Sequence, residues 1–371
     1  MTKIVSVHVL GKLDRGGAET WLKDLCLNSE ESNLQIDFLL TRTGEGAYDE
    51  VVKQAGSKIY YNELGSINII KFCINLYLFL KRKKINNIHS HVHYFSGLIL
   101  FIAFLAGVKT RIVHSHLDTS SDDLHQKGLR NLYLNLMRYL INKFSTKNVA
   151  CSPEAGRALF LNNDYKIIKL GIDIERFSSD SELKKKEFYC QHNIPEHATI
   201  IGHVGRFSNQ KNHKFLIDIF KEVYKVSSNY FLVLVGGGEL EEVVRKQISD
   251  YKLEDNVRLI GLRDDIPFLL KDVFSIFIMP SLYEGSPVVL LEAQAAGLNC
   301  IISNKISVAD REIPELFTTL SLEEPSAWVE AVIASKPNET SFRKQCLVRV
   351  IESEYNIKSS LASLTNLYSE N

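Results

Sequence analysis

Short apolar runs alternate along this chain with longer segments in which apolar residues recur every three or four positions. The runs at 4–10, 35–40, 88–90, 110–115 and 148–151 predict strands in the first half. Those at 199–204, 230–235, 257–260, 275–279 and 299–303 predict strands in the second half. Short, mostly apolar runs alternating with helical segments predict parallel sheets covered by helices on both faces. Two such series in tandem predict an α/β protein of two Rossmann-like, doubly wound domains facing a cleft. We place the domains at 1–168, with a C-terminal crossover helix at about 356–371, and at 169–355.

Two segments test a membrane reading. Residues 94–108 are apolar and uncharged over 15 positions, short of the ~20 that a spanning helix needs, and predict a core helix. Residues 67–80 end in Lys81-Arg82-Lys83-Lys84. They fit either a helix lying on an anionic membrane or a solvated helix end whose cations complement its dipole. Residues 127–147 interleave cations with aromatic and aliphatic side chains and tilt the choice toward the membrane.

Length and charge narrow the class. At 371 residues, 45% hydrophobic and 24% charged, the chain suits two globular domains and excludes a disordered or fibrous protein. Lys+Arg and Asp+Glu both total 44, which excludes a strongly basic nucleic-acid binder. The balance is uneven: residues 1–170 carry 22 basic and 15 acidic groups, residues 171–371 carry 22 and 29. A basic first domain and an acidic second one imply different partners. Six scattered cysteines without a C-x-x-C pair read as reduced thiols, and the start of the chain reads as a strand, not a signal peptide. A cytoplasmic protein is expected.

Candidate chemistry sits where strands end. Gly16 and Gly17 follow the first strand and open a helix, where free N–H groups can receive a phosphate. Alone they fit a tight turn equally well. Gly205 and Arg206, with Lys211, follow the first strand of the second half. Open α/β sheets bind ligands at such ends, and two cations there can clamp a diphosphate. Gly236, Gly237 and Gly238 permit close backbone approach to a nucleotide, or simply a turn before the acidic helix start at Glu239. Glu284 closes the loop after the strand at 275–279. Pro287 is placed to start a helix, and Glu292 lies within it among apolar neighbours. A buried carboxylate needs partners, and ribose hydroxyls would supply them. A structural salt bridge or an exposed helix face is the alternative. His114 and His116 alternate on a strand and point the same way, but spacing reveals no third ligand, so no metal site is expected. His89, His91 and His93 form a second alternating set near the same strand ends.

Together these residues resemble the family 4 glycosyltransferases, which have the GT-B architecture, over nearly the whole chain. The most specific part is the E-x7-E pair Glu284 and Glu292. Gly16-Gly17-Ala-Glu19, His114-Ser-His116, Gly171-Ile-Asp173 with Arg176-Phe177, and Gly205-Arg206 with Lys211-Asn212 follow in the family's order. The His-Ser-His form is similar to enzymes of bacterial capsule, exopolysaccharide and O-antigen synthesis. The resemblance implies a retaining transferase using a nucleotide-diphosphate sugar, UDP-linked, and a polyprenyl-diphosphate-linked or related glycan acceptor. It implies no metal and no cofactor. Glu292 would hold the ribose, Arg206 and Lys211 the diphosphate. Glu284 and the backbone of Ser286, Val288 and Val289 would touch the sugar, and Leu262 and Arg263 would border the base. Gly16 and Gly17 would close over the diphosphate, and His116, more than His114, would contact the sugar. Partners would include an anionic membrane surface through Lys81–Lys84, at the inner face of the cell membrane, and no nucleic acid. Two departures stand out: the loop 303–312 lacks the family's frequent glycine pair, and Leu117 follows His116. A nucleotide-sugar epimerase of the same architecture and a non-catalytic subunit are the rival readings. A dehydrogenase fits less, for want of its glycine fingerprint.

Overall fold

The structure is a computed structural model that describes residues 3–30, 32–62, 68–116, 128–178, 181–284, 286–306 and 311–369. Leu117, Gly285, Lys127 and residues 307–310 of the 303–312 loop lie outside the described residues.

Two compact units emerge, residues 1–172 with 354–371, and residues 173–353. The first holds β1 (Ile4–Leu10), β2 (Leu34–Leu40), β3 (Ile59–Tyr61), β4 (Asn87–Ser90), β5 (Thr110–Ser115), β6 (Lys147–Ala150) and β7 (Lys166–Ile167). They form one sheet in the order β3-β2-β1-β4-β5-β6-β7, with every pairing parallel. The second holds β8 (Thr199–Val204), β9 (Tyr230–Val235), β10 (Val257–Leu259), β11 (Ile276–Met279), β12 (Cys300–Ser303) and β13 (Phe317–Leu320). Their order is β10-β9-β8-β11-β12-β13, again all parallel. Both orders reverse once, between β1 and β4 and between β8 and β11. Each unit therefore has one topological switch point, where the connections leave to opposite sides and open a crevice at the strand C-termini.

The helices cover the sheets for the reason the periodicity gave. In the first unit, Phe72, Leu76, Ile99, Leu100, Met137 and Ile141 pack with Val7, Val9, Ile88 and Val113. In the second, Leu216, Phe220 and Trp328 pack with Ile201, Leu232, Leu234, Ile278 and Ile301. The apolar segment at 94–108 holds the core helix Ser96–Leu105. Among the described residues no helix is long and apolar enough to cross a membrane. All six cysteines are free.

Within the first unit, the chain at Gly171–Ile172 crosses beside the returning chain at Tyr355–Ile357. Ile172 bridges Asn356 in parallel, Ile172 N–H donates to Tyr355 at 2.8 Å and Ile357 N–H to Ile172 at 3.0 Å. A Cβ on Gly171 would sit 2.6 Å from the carbonyl carbon of Asn356, so only glycine fits beside this crossing. The final helix, Ile357–Ser369, then belongs to the first unit and buries Leu361, Leu364 and Tyr368.

Candidate functional site

In the second unit the candidate residues gather at the switch point. The loop after β8 carries Lys211, and the loop after β11 carries Glu284; the Lys211 Nζ–Glu284 Oε1 separation is 2.6 Å. The two side chains are only 15% and 7% exposed, so the pair is drawn largely out of water. Gln210 Nε2 donates to Glu284 Oε2 at 3.2 Å and to Tyr283 O at 3.0 Å. Leu282 N–H donates to Gln210 O, and Asn212 Nδ2 to Pro280 O. Five contacts thus stitch the two loops together. An ammonium has three N–H donors, so Lys211 keeps two for a ligand while Glu284 fixes its position.

Arg206, on the same β8 loop, is of another kind. It pairs with Glu239 at 3.2 Å, but the two side chains are 73% and 56% exposed. A contact this wet is weak and exchangeable, which leaves the guanidinium available to an anion.

The glycines have a structural reason. A Cβ on Gly236, which has φ +140°, would lie 2.1 Å from the carbonyl oxygen of Gly205, and one on Gly238 would lie 2.6 Å from that of Phe207. Phe207 N–H donates to Gly237 O and Leu240 N–H to Phe207 O, so the loops after β8 and β9 lie backbone to backbone. The glycines permit the close approach of one loop to the other, whatever else they permit. Leu262 is exposed beside Gly237. Arg263 is committed to a two-pronged contact with Asp265, at 2.9 and 2.8 Å, and Lys184 joins Asp265 at 2.7 Å. These cations hold the Asp265 carboxyl down to about 2 against the cost of burying it. The Arg263 fork is therefore part of the local scaffold next to Leu262.

Glu292 lies on the helix Val288–Ala295, whose residues are nearly all buried, and is itself only 8% exposed. The exposed-face alternative is thereby removed. Pro287 directly precedes the helix. Ser286 and Val289 are half-buried and Val288 is buried.

In the first unit, Gly16 caps the helix Gly17–Leu27 in an extended conformation. A Cβ on Gly16 would meet Glu19 Oε2 at 2.2 Å. The Glu19 carboxyl thus folds over the helix N-terminus. Burial pushes its pKa up, while the hydrogen bond to its own backbone pulls it down. An acidic group already faces the end that sequence reasoning gave to a phosphate.

The switch point of the first unit is lined with histidines. His8 of β1 is the register partner of His89 of β4. His91, His114 and His116 follow at the ends of β4 and β5, with His114 and His116 stacked at 4.1 Å between ring centroids. Spacing showed no third ligand beside that pair, but the fold supplies one. His91 brings a nitrogen within 4.8 Å of theirs, as it does with His8 and His89. The separations argue for hydrogen bonds: His91 Nδ1 is 2.7 Å from His116 Nε2, and His91 Nε2 is 2.9 Å from His8 Nδ1. Nitrogens sharing a tetrahedral zinc at ~2.0–2.1 Å would lie about 3.3 Å apart. Burial depresses the pKa of every one of these rings, His8 and His116 to about 3. All are neutral at pH 7. His114 is fully buried against Trp21, whereas His116 is only half-buried.

Lys81, Arg82 and Lys83 form the exposed last turn of the helix Ile69–Lys83, and Lys84 caps it in the left-handed conformation. This helix buries Phe72, Leu76 and Leu80 and leaves Ile70, Ile74, Tyr77 and Leu78 exposed. The helix Leu129–Phe144, which with Ile69–Lys83 flanks Ser96–Leu105, likewise exposes Leu129, Leu132, Tyr133, Leu136 and Tyr139.

Sequence reasoning missed Gln210, which sits inside a quoted motif and orients Glu284. It also missed His8 and Tyr368, which reach the histidine group only through sheet order and the return of the last helix.

Comparison with known proteins agrees with this layout. Residues 15–176 match the model of Glycosyltransferase Family 4, and residues 184–346 that of Glycosyl transferases group 1. EpsF of Bacillus subtilis (strain 168), provisionally named a glycosyltransferase, is 34% identical over 98% of this chain and 95% of its own length. CapH of Staphylococcus aureus, a capsular polysaccharide biosynthesis glycosyltransferase, is 26% identical over 91% and 92%. The Escherichia coli UDP-Gal:alpha-D-GlcNAc-diphosphoundecaprenol alpha-1,3-galactosyltransferase is 28% identical over 76% and 71%. Among solved structures, HepE of Anabaena in complex with UDP and glucose superposes with a TM-score of 0.79, at 17% identity, over 99% of this chain and 100% of that one. The fold is GT-B, and the chain belongs to the family 4 glycosyltransferases.

Proposed function

We propose that this chain is a retaining glycosyltransferase of bacterial surface polysaccharide assembly, moving a sugar from a UDP-sugar to a polyprenyl-diphosphate-linked acceptor at the cytoplasmic face of the membrane. The observation that carries the reading is the Lys211–Glu284 pair at the switch point of the second unit, with Glu292 buried on the helix that follows. Glu292 holds the ribose hydroxyls. Arg206 and Lys211 take the diphosphate and stabilise the charge that develops on it. Glu284, with the backbone of Ser286, Val288 and Val289, positions the sugar, and Leu262 borders the base. The bond from the anomeric carbon to the diphosphate oxygen breaks, and a bond from the acceptor oxygen forms on the same face. The acceptor proton passes to the leaving phosphate, and His116 contacts the sugar. The two cations supply the charge that a metal would otherwise provide. The nucleotide and acceptor classes follow the names of relatives, since the E. coli enzyme is named for UDP-Gal and a diphosphoundecaprenol acceptor, and HepE is described with UDP.

The membrane half of the proposal rests on the exposed apolar residues Ile70, Ile74, Tyr77 and Leu78 of the helix that ends in Lys81, Arg82, Lys83 and Lys84. Each cation near an anionic surface adds about 1 kcal/mol. Binding to anionic vesicles should fall with salt and with Lys81–Lys84 replaced by glutamine. Equal binding to neutral vesicles at high salt would count against it.

The test of the donor reading is thermal stability against UDP, GDP, CMP and their sugars. A ligand at 100 times its dissociation constant adds about 2.7 kcal/mol. Stabilisation by UDP or its sugar, lost in Glu292→Ala, is expected. No shift with any nucleotide would refute the donor site.

A further inference from the structure

The histidines at the first switch point are joined in a single chain. Tyr368 of the last helix lies 2.6 Å from His89 Nδ1 and 3.1 Å from His8 Nε2 through its hydroxyl. His8 Nδ1 meets His91 Nε2 at 2.9 Å, and His91 Nδ1 meets His116 Nε2 at 2.7 Å. His114 stacks within the group but takes no part, since neither of its nitrogens has a hydrogen-bond partner.

A neutral imidazole has one N–H and one lone pair, and each contact holds one proton. The chain therefore has two consistent proton arrangements. In the first, His89, His8, His91 and His116 all carry the proton on Nδ1, and Tyr368 donates to His8. In the second, all four carry it on Nε2, and Tyr368 donates to His89. The ends decide between them. His89 Nε2 and His116 Nδ1 are both buried without a partner. The second arrangement strands an N–H on His89, which is fully buried. The first leaves a lone pair there and puts the N–H on His116, whose Nδ1 is covered too but whose ring stands half-buried where β5 ends. A substrate oxygen arriving at that end completes the chain.

We propose that Tyr368, His8 and His91 are positioning residues that fix His116 in the Nδ1–H tautomer, so that it donates a hydrogen bond to a substrate oxygen, a sugar hydroxyl or a phosphate. This rests on the reading of His116 as a substrate contact. The chain spans both ends of the polypeptide, so the final helix takes part in the chemistry of the first unit through one hydroxyl.

Nitrogen-15 spectra of histidine-labelled protein at pH 7 report each tautomer directly. His8, His89, His91 and His116 should all be Nδ1–H. An Nε2–H tautomer at His91 or His116 would overturn the relay. Tyr368→Phe keeps the ring and removes the hydroxyl. Its His8 and His91 should lose their single tautomer, and kcat should fall roughly 10-fold while KM for the nucleotide sugar holds; the melting temperature should drop modestly, because buried His89 and His8 lose their shared partner. Unchanged spectra with unchanged kcat would overturn the proposal. Stoichiometric metal in the purified protein, absent from His91→Phe, would do so too, because it would claim lone pairs the relay uses. His116→Ala separates the two readings. Full turnover in that variant would end the assignment of His116 to substrate, and the spectra would still decide the relay.

Discussion

Lys211 and Glu284 are 73 residues apart in sequence and 2.6 Å apart in the fold. Their contact spans β8 and β11, the two strands between which the second sheet reverses direction. A cation and a carboxylate held this close, with little exposure, fix each other's orientation before any ligand arrives. The partner that each would take in a donor complex is then met by a group already in place.

Removing one member leaves the other charged and poorly solvated, a loss of about 3 kcal/mol. Lys211→Met and Glu284→Gln should each lower the denaturant midpoint of the second unit. The double variant should lose less than the sum, because it leaves no lone charge. Additive losses in a double-mutant cycle would show that the pair is not coupled.

Arg206 should behave in the opposite way. Its pair with Glu239 is exposed, and exposed pairs contribute ~0–1 kcal/mol. Arg206→Ala should leave stability within about 0.5 kcal/mol and lower kcat on the order of 100-fold. A variant that unfolds early yet turns over normally would assign Arg206 to the scaffold.

How much of this was legible in sequence depends on whether the information is local. The ten runs at 4–10 through 299–303 all lie on strands, because a strand covered on both faces is mostly apolar, its few polar residues such as Ser6, His8 and Asp37 being buried with it. The three unforeseen strands, Ile59–Tyr61, Lys166–Ile167 and Phe317–Leu320, are short, sit at sheet edges and are half-exposed, so no such run marks them. Lys211 and Glu284 could be placed together because each follows a strand at the switch point, and the burial of Glu292 follows from its apolar helical neighbours. The glycines at 236–238 fit either a nucleotide or a simple turn in sequence, and their service to the neighbouring β8 loop depends on a contact with Gly205 that no local pattern announces. His8 looked like one more strand residue; only the β1–β4 register set it against His89.

Gly236→Ala tests that loop contact. The added methyl would overlap the carbonyl oxygen of Gly205, 2.1 Å away, at a φ of +140° that side chains rarely adopt. Strain of this kind costs of order 1–3 kcal/mol. The β8 loop must shift to relieve it, carrying Arg206 with it. Reduced stability together with weaker nucleotide binding is the expected result, read by denaturation and calorimetry. Loss of stability with intact binding would mean that the loop adjusts without disturbing the site.

The buried histidines predict a pH dependence of definite sign. His8 and His116 have pKa values depressed to about 3 by burial, against 6.5 when exposed, and burial also pushes His89, His91 and His114 well below 6.5. Between those values the unfolded chain binds protons that the folded one refuses. Stability is thus complete above pH 6.5 and falls as the pH drops toward 3, approaching about 1.4 kcal/mol per pH unit for each ring. Asp265, depressed to about 2, adds its loss only below the ordinary carboxylate range. Glu19, pushed upward by burial, opposes the trend above its ordinary pKa of 4.5. From pH 6.5 to 5 the histidines dominate, His203 and His213 of the second unit among them, both depressed by burial. The denaturant midpoint should fall steeply there, and His8→Phe should flatten the slope. A flat profile across that interval would require the rings to be charged in the folded protein, and the hydrogen-bonded chain from Tyr368 to His116 could not then exist in its neutral form.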